Sequence, residues 1–580
     1  MMHWIILIGL FATLGCSSLI QNVPQANIIM VDVDGQPVDP TGNVPCEVDT
    51  NGNCFKRHSM LRGYPPFESL GAYRTHITGV MTGLEKHKND GKPHKIIIHA
   101  HGGLNFQTGT VERAAELHQD ILNDTGAYPI FINWQSSLFP SYWNHLTHIR
   151  QGEDWSTGGS SWWAFATAPF YFAADVVRAA IRIPTATFLQ VRNDLETVPH
   201  LRFLHSRELV LAQEVTFDEL CRRKKNGENW ASNPLKEYAR TLDRHVEDCE
   251  RVYGFSQHDL SGLNIWLGLD ERTLADKVEA SIKYVITSPT KLASAPIIDA
   301  LGTSSWDVML RSVAQLFHYD GVLGEQADIN TSRDLAYDFR QTGALSVFFD
   351  RLRAQICESE KGAEIVEDSR EAKCANKDNW EITLVGHSTG AIIVNRIIRD
   401  FGDLPIKNVV YMAAASTIKD YQDTIFPYLK RRNAEGPLHE AAQLCRTSGE
   451  PVQSAIPEWS GVCVYHLMLH EAAESGEWWS EIIDPWPRGS LLVWLDNFLS
   501  HPLSREDRML GRFTNFIGAA HHTPEPLRPY VNIVKFGVGE GELSPQKHGE
   551  FGGKLKYWKP ECWGAPADNP RNCYRALGHY

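Results

Sequence analysis

Residues 386–390 spell Gly386-His387-Ser388-Thr389-Gly390. A serine hydroxyl is a weak nucleophile until it is pushed clear of the backbone and set beside a base. A sharp strand-to-helix turn does the first of these, and it needs small neighbours, which Gly386 and Gly390 supply. Upstream, Ile382, Leu384 and Val385 are strand formers; downstream, Ala391, Ile392, Val394 and Ile398 suit a helix packed on a sheet. Such a helix aims its open amides and positive dipole end at the serine. The expectation is a nucleophile at Ser388, with the backbone N–H of Thr389 as an oxyanion donor.

A second pattern precedes it. Lys95–His99 is a β-branched run that reads as a buried strand, and it ends in His99-Ala100-His101-Gly102-Gly103-Leu104. "HGGL" after an early strand and "GHSTG" after a later one, in that order, resemble the α/β-hydrolase family of lipases and esterases. The resemblance covers roughly residues 67–134 and 332–560. It implies that Gly103, with Leu104 beside it, is the second oxyanion donor. It also implies the order nucleophile, acid, histidine, with the histidine in a loop after the last strand. Past Val531–Phe536, "GVGEGELSPQKHGEF" holds one histidine, His548, the expected general base; His521 and His522 precede that strand. The acid belongs after the strand ending at Leu469, where "HEAAESGEWWSEIID" offers Glu471, Glu474, Glu477, Glu481 and Asp484. Glu474 is favoured, then Glu471; Asp496 is a further candidate on what reads as the polar face of a helix. The implied activity is hydrolysis of carboxylic esters through an acyl-enzyme, with no metal or organic cofactor.

Other chemistries compete. His99 and His101 at a strand end also resemble the metal-binding H-x-H of barrel-type amidohydrolases, which would make the protein a metal-dependent hydrolase. A hydrolase fold can serve as a binding module without catalysis, although Ser388 and His548 are both present. Transfer of the acyl group to an alcohol, an acyltransferase reaction, is equally open.

The elements that must position these residues read as an α/β fold of the α/β-hydrolase kind, a mostly parallel sheet flanked by helices with a large helical cap inserted. The core is expected at 66–134 and 331–580. It comprises helices at 67–88, 111–123, 332–355 and 391–401, and strands at 95–99, 128–134, 381–385, 408–413, 462–469 and 531–536. Residues 135–330 are helical, tryptophan-rich and irregular, and read as a cap or lid. Within them Trp162 to Ala174, "WWAFATAPFYFAA", is interrupted by Pro169 and too short to span a bilayer. It suits a lid over an apolar pocket, a patch resting on a membrane, or a buried helix, and favours a lipid or other hydrophobic ester.

Residues 1–16 read as an export signal. Ile5–Leu14 is apolar and of signal-peptide length, and Gly15-Cys16 resembles the lipobox of bacterial lipoproteins, although Met1-Met2-His3 lacks a basic residue and Thr13 stands where Leu is commoner. Lipid attachment at Cys16 is expected, placing the protein on a membrane surface of the cell envelope; ordinary secretion is the alternative. Residues 17–65 read as a tether and an irregular arm. The other ten of the 11 cysteines fall into neighbouring couples, 46/54, 221/249, 357/374, 445/463 and 562/573, as five local disulfides in an oxidising compartment would. With 580 residues, 43% hydrophobic and 22% charged, the chain is globular; its formal charge of −14 and the lack of a long basic run or aromatic–basic interleaving give little support to a nucleic-acid partner.

Overall fold

The fold was obtained as a computed structural model. It describes residues 25–32, 35–40, 47–48, 54–55, 64, 67, 69–87, 94–103, 107–147, 149–150, 153–154, 161–197, 274–318, 343–357, 379–433 and 461–469, then 473–474, 477, 486–513, 515–516, 523–536, 545, 547–552 and 556–558. Cys16, Leu104 and Glu471 lie outside the described residues, as do the expected helical turns at 332–342.

Seven strands form one sheet: β1 (Ile28–Val31), β2 (His94–Ala100), β3 (Tyr128–Trp134), β4 (Trp380–His387), β5 (Ile406–Met412), β6 (Cys463–Leu469) and β7 (Val531–Phe536). Their spatial order is β1-β3-β2-β4-β5-β6-β7, and the sheet is wholly parallel, where the sequence suggested mostly parallel. Ile28 stands opposite Phe131 at one edge, and Val464 opposite Val531 at the other. Every residue of β3 and of β6 is buried. Continuous apolar runs of this kind belong to strands covered on both faces, which is what a parallel sheet requires.

Helices α1 (Leu70–Lys86), α2 (Gln107–Thr125), α3 (Leu138–Thr147), α4 (Ser161–Thr197), α5 (Leu274–Gln315), α6 (Ala344–Cys357), α7 (Gly390–Phe401) and α8 (Ile418–Arg432) supply the remaining layers. Ser69 caps α1 by accepting from Ala72 N–H at 3.1 Å, and Thr417 caps α8 by accepting from Asp420 N–H at 3.0 Å. Cys357 and Cys463 are both disulfide-bonded. The partners expected for them, Cys374 and Cys445, lie outside the described residues.

Two elements depart from the sequence reading. The segment read as an irregular arm contributes β1, whose four residues are wholly or almost wholly buried and are tied in where Asn27 Nδ2 donates to Pro129 O at 2.7 Å. The apolar stretch expected to break at Pro169 instead lies within α4, a helix of 37 residues that contains both Pro169 and Pro184.

The chain divides into two compact units. The first comprises residues 1–166, 305–384 and 400–406, and in it the wholly buried Tyr73 of α1 donates its hydroxyl to Ala344 O at 2.8 Å. The second comprises residues 167–304, 385–399 and 407–580 and carries the elbow serine. In the second unit α4 and α5 are joined by a charge pair whose carboxylate is buried, the Arg182 side chain being 28% exposed. Arg182 donates Nε–H and Nη2–H to the two carboxylate oxygens of Asp299, each at 3.0 Å, and Asp299 is fully enclosed. Arg182 Nη2 also meets His501 Nδ1 at 2.8 Å, and the other ring nitrogen of His501 reaches Thr303 Oγ1 at 2.9 Å. A bidentate pair of this kind is costly to break one side at a time, because the surviving charge stays buried. Arg182→Ala is therefore expected to lower unfolding stability by about 3–5 kcal/mol, and Arg182→Met with Asp299→Leu to recover most of it. Urea denaturation of the three proteins checks this.

Candidate active site

Strand β4 delivers Ser388 and helix α7 begins two residues later, at Gly390. Ser388 has φ 52°, a left-handed backbone that a non-glycine residue adopts at a cost of order 1–3 kcal/mol. Its main chain is held in place on three sides: Ser388 N–H donates to Met412 O at 2.8 Å, and Ser388 O accepts from Ala391 N–H at 3.1 Å and Ala415 N–H at 2.9 Å. The turn is tight enough to demand glycine at 386, where an added Cβ would lie 2.8 Å from Ala391 Cα and 2.9 Å from Ala391 N. The Ser388 side chain is fully buried, and its hydroxyl makes no hydrogen bond among the described residues. A buried, unpartnered hydroxyl on a strained turn is a feature folding alone would disfavour. Ile392 N–H already bonds Thr389 O. The amide of Thr389 lies ahead of those first helical bonds, at the positive end of α7.

His548 opens a short 3-10 turn, His548–Gly552, after β7. It comes to the elbow through Ser388's neighbour. His387 Nε2–H donates to His548 O at 3.0 Å, and the two rings lie 5.2 Å apart at an interplanar angle of 32°. His548 is buried, and neither ring nitrogen has a hydrogen-bond partner among the described residues. Burial, assisted by His387, holds its pKa well below the usual 6.5, so the imidazole is neutral and fit to accept a proton at neutral pH. The structure draws no hydrogen bond between Ser388 and His548. Catalytic contacts of this sort often close only when substrate binds.

The carboxylates after β6 divide their roles. Glu477 Oε2 accepts from the backbone N–H of His548 at 3.0 Å, and burial pushes its pKa up to about 7 against the pull of that bond and of Lys547. Glu474, the sequence favourite, faces elsewhere: Ser490 Oγ–H donates to its Oε1 at 2.9 Å, and Ser490 N–H donates to its backbone oxygen at 2.7 Å. Ser490 in turn caps Leu491–Trp494, its hydroxyl accepting from Leu492 N–H at 3.2 Å. Asp496 is engaged by Met509 N–H at 2.8 Å and by Arg512 and Asn515, each at 2.7 Å. Nothing in the spacing of the acidic residues separates Glu477 from its neighbours; the distinction is tertiary.

Glu474 is a titration site of its own. Burial raises its carboxyl from 4.5 to about 8, opposed by Arg512 and Ser490 and assisted by Asp496 and Glu477. A carboxyl raised by folding contributes its stabilisation fully below its ordinary value and loses it as pH climbs through the folded value. Glu474→Gln, which resembles the neutral form, is therefore expected to melt with the wild type at pH 4 and several degrees above it at pH 9. Thermal melts at the two pH values check this.

At the end of β2, in the first unit, His101 uses both ring nitrogens on backbone. Nε2 accepts from Trp134 N–H at 3.0 Å, so Nδ1 carries the proton and donates to Gly102 O at 2.7 Å. Burial lowers its pKa to about 4. A metal ligand needs a free ring nitrogen, and His101 as placed offers none. Among the described residues no group of three or more His, Cys, Asp or Glu is arranged to hold a metal ion. His99 is buried on the same strand, its ring edge-on to Phe131. Gly102 O also accepts from Ser136 Oγ–H at 3.1 Å, and Gly103 follows, buried, in the turn after the strand.

Comparison with known proteins finds no matching family model, no matching curated protein and no matching solved structure.

Proposed function

We propose that the chain is a serine hydrolase of the α/β-hydrolase fold that cleaves carboxylic esters. The observation that carries the reading is Ser388: a residue held at positive φ between strand and helix, its hydroxyl buried and without a hydrogen-bond partner among the described residues, with a neutral histidine packed against the adjoining residue. In the mechanism His548 takes the Ser388 proton as Oγ bonds to the ester carbonyl carbon. The carbonyl oxygen becomes an oxyanion that the Thr389 amide stabilises. As the tetrahedral species collapses, the C–O bond to the alcohol breaks and His548 returns the proton to the departing alkoxide. Water, deprotonated by the same His548, then bonds to the acyl carbon; the bond to Ser388 Oγ breaks, His548 returns the proton to Oγ, and the acid leaves. Glu477 is the better candidate than Glu474 for the carboxylate that orients His548, since it already reaches that residue's main chain. A second oxyanion donor at Gly103 rests on the sequence resemblance alone. Export and lipid attachment at Cys16 belong to the same proposal, and rest on the leader sequence.

The test is labelling of the purified protein with a fluorophosphonate, which reacts covalently with an activated serine. Labelling of the wild type that vanishes in Ser388→Ala supports the proposal. A folded wild type that does not label defeats it.

A further inference from the structure

Helix α4, paired with α5 in the second unit, has its polarity reversed between Phe170 and Val191. On a helix in water, polar side chains face out and apolar ones face in. Here the inward stripe of α4 runs Asp175, Ala179, Arg182, Ala186 and Gln190, with Ala186 and Gln190 fully enclosed. The buried residues of α5 facing it between 291 and 303 include Lys291, Ser294, Ala295, Asp299 and Thr303, with Lys291, Ala295 and Asp299 fully enclosed, whereas farther along α5 the apolar Trp306, Val308, Met309 and Val313 are buried. Small residues in contact and ionisable groups paired between helices are how helices associate when their surroundings are hydrocarbon. The outward face completes the inversion: Phe170 is 75% exposed, Ile181 72% and Phe188 65%, with Phe172, Val177 and Ile183 about half exposed. Arg178 is the one ionisable residue of the exposed class between Phe170 and Val191.

From these observations we infer that the outward face of α4 seats in the surface of a lipid bilayer, its aromatic and aliphatic side chains among the upper acyl chains and Arg178 at the phosphate headgroups. The face is about 33 Å long over its 22 residues at the helical rise. Among the described residues no helix is long and apolar enough to cross a membrane, so α4 lies along the interface and does not span. A protein partner is the weaker fit, because a binding patch in water is rimmed by polar groups, whereas between Phe170 and Val191 the exposed polar side chains of α4 are Arg178 and Thr185 alone. The inference is independent of the serine chemistry and of any acyl chain at Cys16.

The experiment is hydrogen–deuterium exchange on the full chain, with and without vesicles of phosphatidylcholine and phosphatidylglycerol, read on peptides from residues 167–197. The readout is local, so binding through the N-terminus does not mimic it. Vesicles are expected to slow exchange in these peptides by about fivefold or more. Phe170→Ser with Ile181→Ser and Phe188→Ser should abolish the slowing while leaving the melting temperature unchanged, since all three side chains are exposed. Exchange indifferent to vesicles in the wild type overturns the inference, and so does equal slowing in the triple variant. Slowing that follows protein concentration without vesicles overturns it in favour of a second copy of the chain.

Discussion

Ser388→Ala and His548→Ala are each expected to lower kcat/KM on a soluble aryl ester by about 10⁴–10⁶-fold while leaving the protein folded. The magnitude follows from the roles proposed for them. Without Oγ there is no acyl-enzyme; without the imidazole the hydroxyl has no acceptor for its proton, and the departing alkoxide has no donor. Because the two act as a unit, the double variant should be little worse than either alone, which sets it apart from two independent contributions to binding. The alanine at 388 also removes a buried hydroxyl that bonds to nothing described, so its effect on stability should be small and opposite in sign to its effect on rate. Steady-state kinetics with thermal melts on the same samples check both halves. A loss below tenfold in Ser388→Ala would place the chemistry elsewhere.

Glu477→Gln is expected to cost about 10²–10⁴ in kcat, with KM nearly unchanged, and to remove a limb of the pH profile. In the proposed role only the ionised carboxylate, now bonded to the His548 backbone N–H, would serve to hold the imidazole in its reactive tautomer and stabilise the imidazolium. Glu477 ionises near pH 7, held there by burial and by Glu550 against its bond from His548 N–H and the charge of Lys547. The wild-type rate should therefore rise as pH climbs from 6 to 8. His548, depressed by burial and His387, stays neutral throughout that window and adds no limb of its own. Glutamine retains an oxygen for the His548 amide, so the main-chain bond persists while the charge is lost. A Glu477→Gln enzyme that keeps the rise near pH 7 would show that the carboxylate merely holds the loop.

Local pattern carried much of this arrangement. Strands β3 and β7 lie where their apolar runs place them, and α7 starts within a residue of the reading because Gly390 and the following apolar positions define it. His548 was singled out by position after the last strand, and the fold sets it against His387. Three things were not legible. Ile28–Val31 is four residues in an Asn- and Gly-rich stretch, and it becomes a strand by pairing with β3, a hundred residues away. The division of labour between Glu474 and Glu477 is decided by Ser490 and by the backbone of residue 548, neither of which spacing can see. The Arg182–Asp299 pair joins residues 117 apart, and no local motif announces it.

The backbone at Ser388 also bears on how the protein would respond to selection. Glycine there would relax the positive φ and abolish a buried hydroxyl without a partner among the described residues, so on the proposed mechanism heat tolerance and turnover are opposed at a single codon. Under pressure for thermal persistence alone, the lineage's easiest gains would include the substitution that silences it.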